Sequence, residues 1–250
     1  MFTAPGSLDG LTASLDFYNI KVEDAIATFE GGQIYDKCFN RNGVSNPGMS
    51  INDPGGFCSL INRNESTGAA GTVDSRYLNA ALIETSGIDM QVNWRGDLAS
   101  GDLYVNALAS FLNEYNTKAT KSDPVLEYKG TLGGGGQYDY RLNTTVGYNF
   151  GGGNTGVGVR WRYLPEVKNG AYVTNRATLN LPTEDYSVFD AFASYNFNER
   201  FQLRGGVDNL LNTDPAIVGA TPTDSNSSTT LPGYYDTLGR RYYIGLRMDF

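Results

Sequence analysis

A chain of 250 residues with a formal charge of -8 and an isoelectric point near 4.6 has no basic footprint with which to displace counterions, which argues against nucleic acid as a partner. It contains no histidine, so the commonest general base and transition-metal ligand are missing together and an enzyme is disfavoured. No run of about 18 apolar residues exists, which excludes a transmembrane helix, but a mean hydropathy of -0.35 leaves a membrane β-barrel open because alternating strands average out. The opening MFTAPGSLDG lacks the basic and apolar regions of a secretory signal. Either the chain is cytosolic or its natural start lies upstream.

The pattern in chain order is one of period two. Leu11, Ala13, Leu15 and Phe17 oppose Thr12, Ser14, Asp16 and Tyr18, which predicts a strand over residues 11–20. Residues 21–72 read as a long polar segment, with VEDAIATF spaced as a short helical turn. Residues 77–94 read as one strand whose apolar side carries Leu78, Leu82, Ile88, Met90, Val92 and Trp94; Glu84 falls on that side. Either Gly87 marks a bulge that resets the register, or Glu84 lies outside the apolar band. Leu103, Val105, Ala107, Ala109 and Phe111 form the next apolar row, before a loop over residues 114–136. Residues 138–150 alternate without a fault, Val157 to Tyr163 follow across a short glycine link, and Pro165 stops that strand. Phe189 to Phe197 alternate with Phe192 as the one large apolar exception; Phe201 to Val207 follow after the shortest link, NER. The last stretch, GRRYYIGLRMDF, sets Tyr242, Ile244, Leu246, Met248 and Phe250 against Arg241, Tyr243, Gly245, Arg247 and Asp249.

About eight such segments are joined alternately by short links and long loops, where compact soluble domains favour short connections throughout. Short turns at one end, long loops at the other, an apolar wall and a polar wall define an all-β, antiparallel transmembrane barrel. Aromatics gather at both strand ends: Trp94, Tyr148, Phe150, Tyr195, Phe197, Phe201 and Phe250 on the short-turn side, and Phe17, Phe111, Trp161, Tyr163 and Phe189 on the other. They read as two interfacial girdles facing outer-membrane lipid. The competing reading is a soluble secreted β-sandwich that binds carbohydrate through its loops.

GVDNLLNTDP and the final YYDTLGRRYYIGLRMDF resemble the carboxy-terminal end of a TonB-dependent outer-membrane receptor, through the turn at Asn209 to Asn212, the strand entry at Gly239 to Ile244, and the terminal aromatic Phe250. SLDFYNIKVEDAI and NAALIETSGIDMQVNW resemble strands of the same half of that barrel. The resemblance implies residence in the outer membrane of a Gram-negative bacterium. It also implies that Tyr242, Ile244, Leu246, Met248 and Phe250 are read by the barrel-assembly machinery, and that the intact parent imports a siderophore, cobalamin or oligosaccharide with TonB acting on an N-terminal plug. The family barrel has about 22 strands. Residues 1–250 are therefore expected to be its C-terminal portion, without the plug. A self-contained eight-stranded barrel, serving as an anchor or adhesion surface, is the alternative.

Cys38 and Cys58 share the first long loop; at the cell surface they would form a disulfide, whereas in a cytosolic chain they would stay two thiols. Arg160, Arg162, Arg204, Asp208, Arg241 and Arg247 lie on the polar parity. They either face a plug or an anionic ligand, or form a salt-bridged wall, the favoured reading. Asp53, Asp123, Asp214, Asp224 and Asp236 show no calcium-site spacing, and the glycine run 133–136 lacks the lysine and helix of a phosphate loop; no cofactor is expected.

Overall fold

The computed structural model describes the chain apart from residues 1, 4–8, 42, 51, 54–55, 122, 133–135, 151, 175–181, 218–229 and 250. Phe250, Asp224 and glycines 133–135 therefore lie outside the described residues. Eight long strands follow in chain order: β1 (Leu11–Thr28), β2 (Tyr77–Leu98), β3 (Gly101–Lys118), β4 (Tyr140–Phe150), β5 (Thr155–Leu164), β6 (Tyr186–Asn196), β7 (Phe201–Asp208) and β8 (Arg241–Met248). Each lies beside its chain neighbour in one ten-stranded sheet, which also takes in the short strands Phe2–Thr3, on the outer edge of β1, and Leu126–Glu127, on β3. The ladders from β3 to β8 are antiparallel and in uninterrupted register. Among the described residues no ladder joins β8 to β1, so the sheet does not close. The sandwich reading fails here: the strands make one continuous sheet and not two packed ones.

Tight turns join alternate strands. Between β4 and β5, Gly152 and Gly153 take φ of 66° and 90°, a region that a side chain disfavours. Between β6 and β7, the Asn198 side chain accepts from the backbone N–H groups of Arg200 and Phe201, at 2.9 and 3.0 Å, closing the NER link.

The apolar parity is the exposed one. Leu15, Phe17, Val146, Val157, Val159, Ile244 and Leu246 stand in the open, Ile244 78% exposed, which in water would be a large apolar patch. At one end of this face Phe111, Tyr140, Tyr163, Trp161 and Phe189 run ring to ring across β3 to β6, with centroids 5.7 to 6.3 Å apart. Near the short turns, Tyr148 contacts Phe150 and Tyr195 contacts Phe197.

The chain divides into two compact units. The first comprises Met1–Asn19, Ser86–Tyr115 and Tyr128–Phe250, and has its own core of Leu132, Tyr138, Val167, Tyr186, Val188 and Tyr235. The second comprises Ile20–Thr85 and Asn116–Glu127. Here the expected helical turn at VEDAIATF is overturned: those residues continue β1 as strand to Thr28. The helix lies just beyond, α1 (Gly31–Cys38), opened by the Gln33 side chain accepting from the Glu30 N–H at 2.9 Å. Glu84 is reached by Lys21 of β1 at 3.4 Å. The charge that broke the apolar pattern of β2 is thus neutralised across the strand pair.

The second unit packs Phe29, Ile34, Cys38, Phe57, Leu60 and Ile61 together. Lys37 is buried there, paired with Asp123 and set over the rings of Phe29 and Phe57. Asn46, wholly buried, donates to the carbonyls of Cys38 and Ser50 at 2.7 and 2.9 Å. Cys38 and Cys58 are joined as a disulfide. Closing a loop of this length is worth about 3 kcal/mol in the chain-entropy model. In protein purified without reductant both cysteines are accordingly expected to resist alkylation until reduced, and mass spectrometry that finds both labelled without reductant would contradict this.

Candidate functional site

The polar parity of the sheet carries the candidate site. In register Arg160 of β5 lies opposite Asp190 of β6, with Arg162 one pleat further along the same face. Asp190 is buried. It accepts from Arg160 Nε at 2.8 Å, from Arg162 Nε and Nη2 at 3.0 Å each, and from the backbone N–H of Asn209 at 2.9 Å. A desolvated carboxylate is stable only when its lone pairs are met this way. Asn209, itself 0% exposed and at φ 53°, binds Thr213 through both ends of its amide. Asn212 then accepts from the N–H of Arg240 at 3.0 Å. The two sequence motifs, Asn209 to Asn212 and Gly239 to Ile244, are thus one hydrogen-bonded corner between β7 and β8.

Arg241 completes the arrangement, 2.7 Å from Asp236 and 3.7 Å from its register partner Asp208. Burial alone pushes the Asp236 carboxyl up, but Arg241 and the Leu238 N–H outweigh it and hold the carboxyl below its ordinary value of 3.8. A depressed carboxylate contributes stability that is present above the unfolded value and lost as pH falls through the folded one. The corner is therefore expected to keep its strength down to the ordinary carboxylate range and to loosen below it. Asp236→Asn should flatten that acid limb in a denaturation series; an unchanged limb would assign it elsewhere.

Of the six charges expected on the polar wall, five are held in ion pairs. Arg160 and Arg162 hold Asp190, Arg241 holds Asp208 and Asp236, and exposed Arg247 pairs with Asp249 at 3.3 Å. Arg204 is the sixth, exposed beside Gly245 with no ion pair among the described residues. On the apolar side of β8, Tyr242, Ile244, Leu246 and Met248 are all exposed. A groove of about 570 Å³ is lined by Asp16, Asp89, Ser110, Arg141, Asn143 and Arg162, together with Tyr186 and Tyr234. Asp16, Asp89 and Arg141 make no ion pair among the described residues, so the groove presents acid and base to whatever meets it. No cluster of metal-ligating side chains occurs among the described residues. Asp190, the hub, was not among the residues singled out from sequence; two arginines two apart on the polar side of one strand and a lone acid on the next were its signal.

An antiparallel sheet that is apolar and exposed on one face, polar on the other, with tight turns between alternate strands, is the wall of an outer-membrane β-barrel. The chain belongs to the TonB-dependent receptor family: the family model described as "TonB dependent receptor-like, beta-barrel" matches residues 4–210. Its members are outer-membrane transport proteins of Gram-negative bacteria, not enzymes. No curated protein matches the sequence. Among solved structures, the chain is similar to a mutant of the ferric enterobactin receptor PfeA from Pseudomonas aeruginosa, with a TM-score of 0.63 and 17% identity over 98% of this chain and 29% of that one. The siderophore receptor PirA from Acinetobacter baumannii gives 0.55 and 17%, covering 97% and 30%. The pyoverdine receptor FpvA from P. aeruginosa PAO1, bound to pyoverdine, gives 0.52 and 16%, covering 96% and 27%. The chain spans less than a third of each of these receptors.

Proposed function

We propose that residues 1–250 are the C-terminal portion of a TonB-dependent receptor barrel, and that the intact receptor takes up a ferric siderophore with TonB-coupled energy. The observation that supports this most is the fit of nearly the whole chain onto under a third of receptors named for siderophores, enterobactin and pyoverdine. Those names favour a siderophore over cobalamin or an oligosaccharide. Among the described residues the outer edge of β8 carries no strand and that of β1 only the two-residue strand Phe2–Thr3, which agrees with a wall continued by further strands, since hydrocarbon cannot satisfy a free strand edge. A self-contained eight-stranded barrel requires a β1–β8 ladder, and none is present among the described residues.

In this reading the apolar face meets lipid, β8 is presented to the barrel-assembly machinery, and the polar face meets a plug supplied by the N-terminal part. Arg160, Arg162 and Arg241 hold the wall itself. Arg204, Arg141, Asp16 and Asp89 are the charges left to meet the plug or a passing ligand. The test is uptake of iron-labelled siderophores by a strain lacking its own receptors. The intact receptor should restore uptake only when TonB is present, and the 250-residue chain alone should restore none. Uptake by the chain alone would defeat the fragment reading, and transport of cobalamin or oligosaccharide in place of ferric siderophore would replace the ligand class.

A further inference from the structure

On the polar face one transverse row crosses six strands. Tyr104 of β3 lies opposite Gly147 of β4, Gly147 opposite Gly158 of β5, Gly158 opposite Phe192 of β6, Phe192 opposite Gly206 of β7, and Gly206 opposite Tyr243 of β8. At each glycine the place of a β-carbon is taken by the neighbouring ring: Tyr104 over Gly147, Phe192 over Gly158, and Tyr243 over Gly206. Tyr18 of β1 covers Gly87 of β2 in the same manner. Glycine inside a strand weakens it unless another group must approach closely, and a ring laid across it returns the lost contact. Phe192, the apolar exception on a polar parity, is thereby accounted for.

Alternation alone does not align these strands. A slip of one residue turns every side chain to the wrong face, but a slip of two keeps the apolar residues on the apolar wall. The polar wall must discriminate. A slip of two sets Tyr104 against Thr145 or Asn149, Tyr243 against Arg204 or Asp208, and Phe192 against Arg160 or Gly156. Only Gly156 offers a second seat. We infer that the ring-on-glycine row is a register lock: during assembly of the wall it selects the single alignment within β3–β4 and β7–β8 and narrows that of β5–β6 to two.

Disulfide cross-linking of the full chain, refolded in detergent with Cys38–Cys58 intact, tests this. Leu203 and Leu246 are register partners on the apolar face, and Leu203 with Ile244 reports a slip of two. The parent is expected to cross-link L203C with L246C and not with I244C. Gly206→Val, which blocks the seat of Tyr243, should move the product to the offset pair, and the exchange Gly206→Tyr with Tyr243→Gly should return it. Should Gly206→Val fail to fold, Tyr243→Ala removes the ring without adding bulk and is expected to give both products. Retention of the matched product alone in both Gly206→Val and Tyr243→Ala, or failure of the exchange to restore it, would overturn the lock.

Discussion

Leu246→Arg and Val146→Arg are each expected to block insertion of the wall or to destabilise it by about 2–4 kcal/mol, the depth-dependent cost of a guanidinium facing hydrocarbon. Val146 is exposed at the middle of the apolar face, flanked in register by Val105 and Val159, and Leu246 stands beside Leu203 on β7. Thr145→Arg puts the same group on the other face, beside Asn106 and Arg160, where water and polar neighbours receive it. It should be mild, reduced only by repulsion from Arg160. Urea midpoints in detergent, followed by the fluorescence of Trp94 and Trp161, give the comparison. Equal losses in all three variants would mean that the apolar face does not meet lipid.

The second large effect concerns Asp190. Replacing both Arg160 and Arg162 by glutamine is expected to cost about 3 kcal/mol or more, because a buried carboxylate is left without its cations. The reverse deletion, Asp190→Ala, should cost less: Arg160 and Arg162 are 43% and 36% exposed and can turn to solvent, leaving chiefly the Asn209 N–H unmet. Arg247→Gln provides the control, since an exposed pair contributes about 0–1 kcal/mol. The same urea series ranks the three. A double arginine variant as stable as the control would reduce the Asp190 hub to an ornament of the wall.

The period-two code made every long strand legible, because burial on one side of a pleat is written residue by residue along the chain. What it did not carry was anything whose partner sits on another strand. Glu84 looked like a fault until β1 brought Lys21 to it, and Phe192 until β5 placed Gly158 beneath its ring. The true length of β1 was obscured because Ile20, Val22 and Ile26 change parity relative to Leu15 and Phe17, and because Asp24 takes φ of 53° in the strand. Spaced that way, the apolar residues mimic a helix. Gly31–Cys38, the segment that is helical, opens on two glycines, which argue against a helix when read locally. Of the site, the arginines were visible and their common anchor was not, since a single aspartate on a polar parity carries no distinguishing mark.

The second unit has an implication for how this protein can diverge. Its order is kept by a covalent tie, a buried ion pair and a small aromatic core, all internal to it. Its outward residues, among them Glu65 and Val125, take little part in that order. Substitutions at these positions should leave its stability within about 0.5 kcal/mol, whereas changes at Phe29, Ile34 or Phe57 should not. A module of this kind can replace its exterior while its skeleton stays as it is.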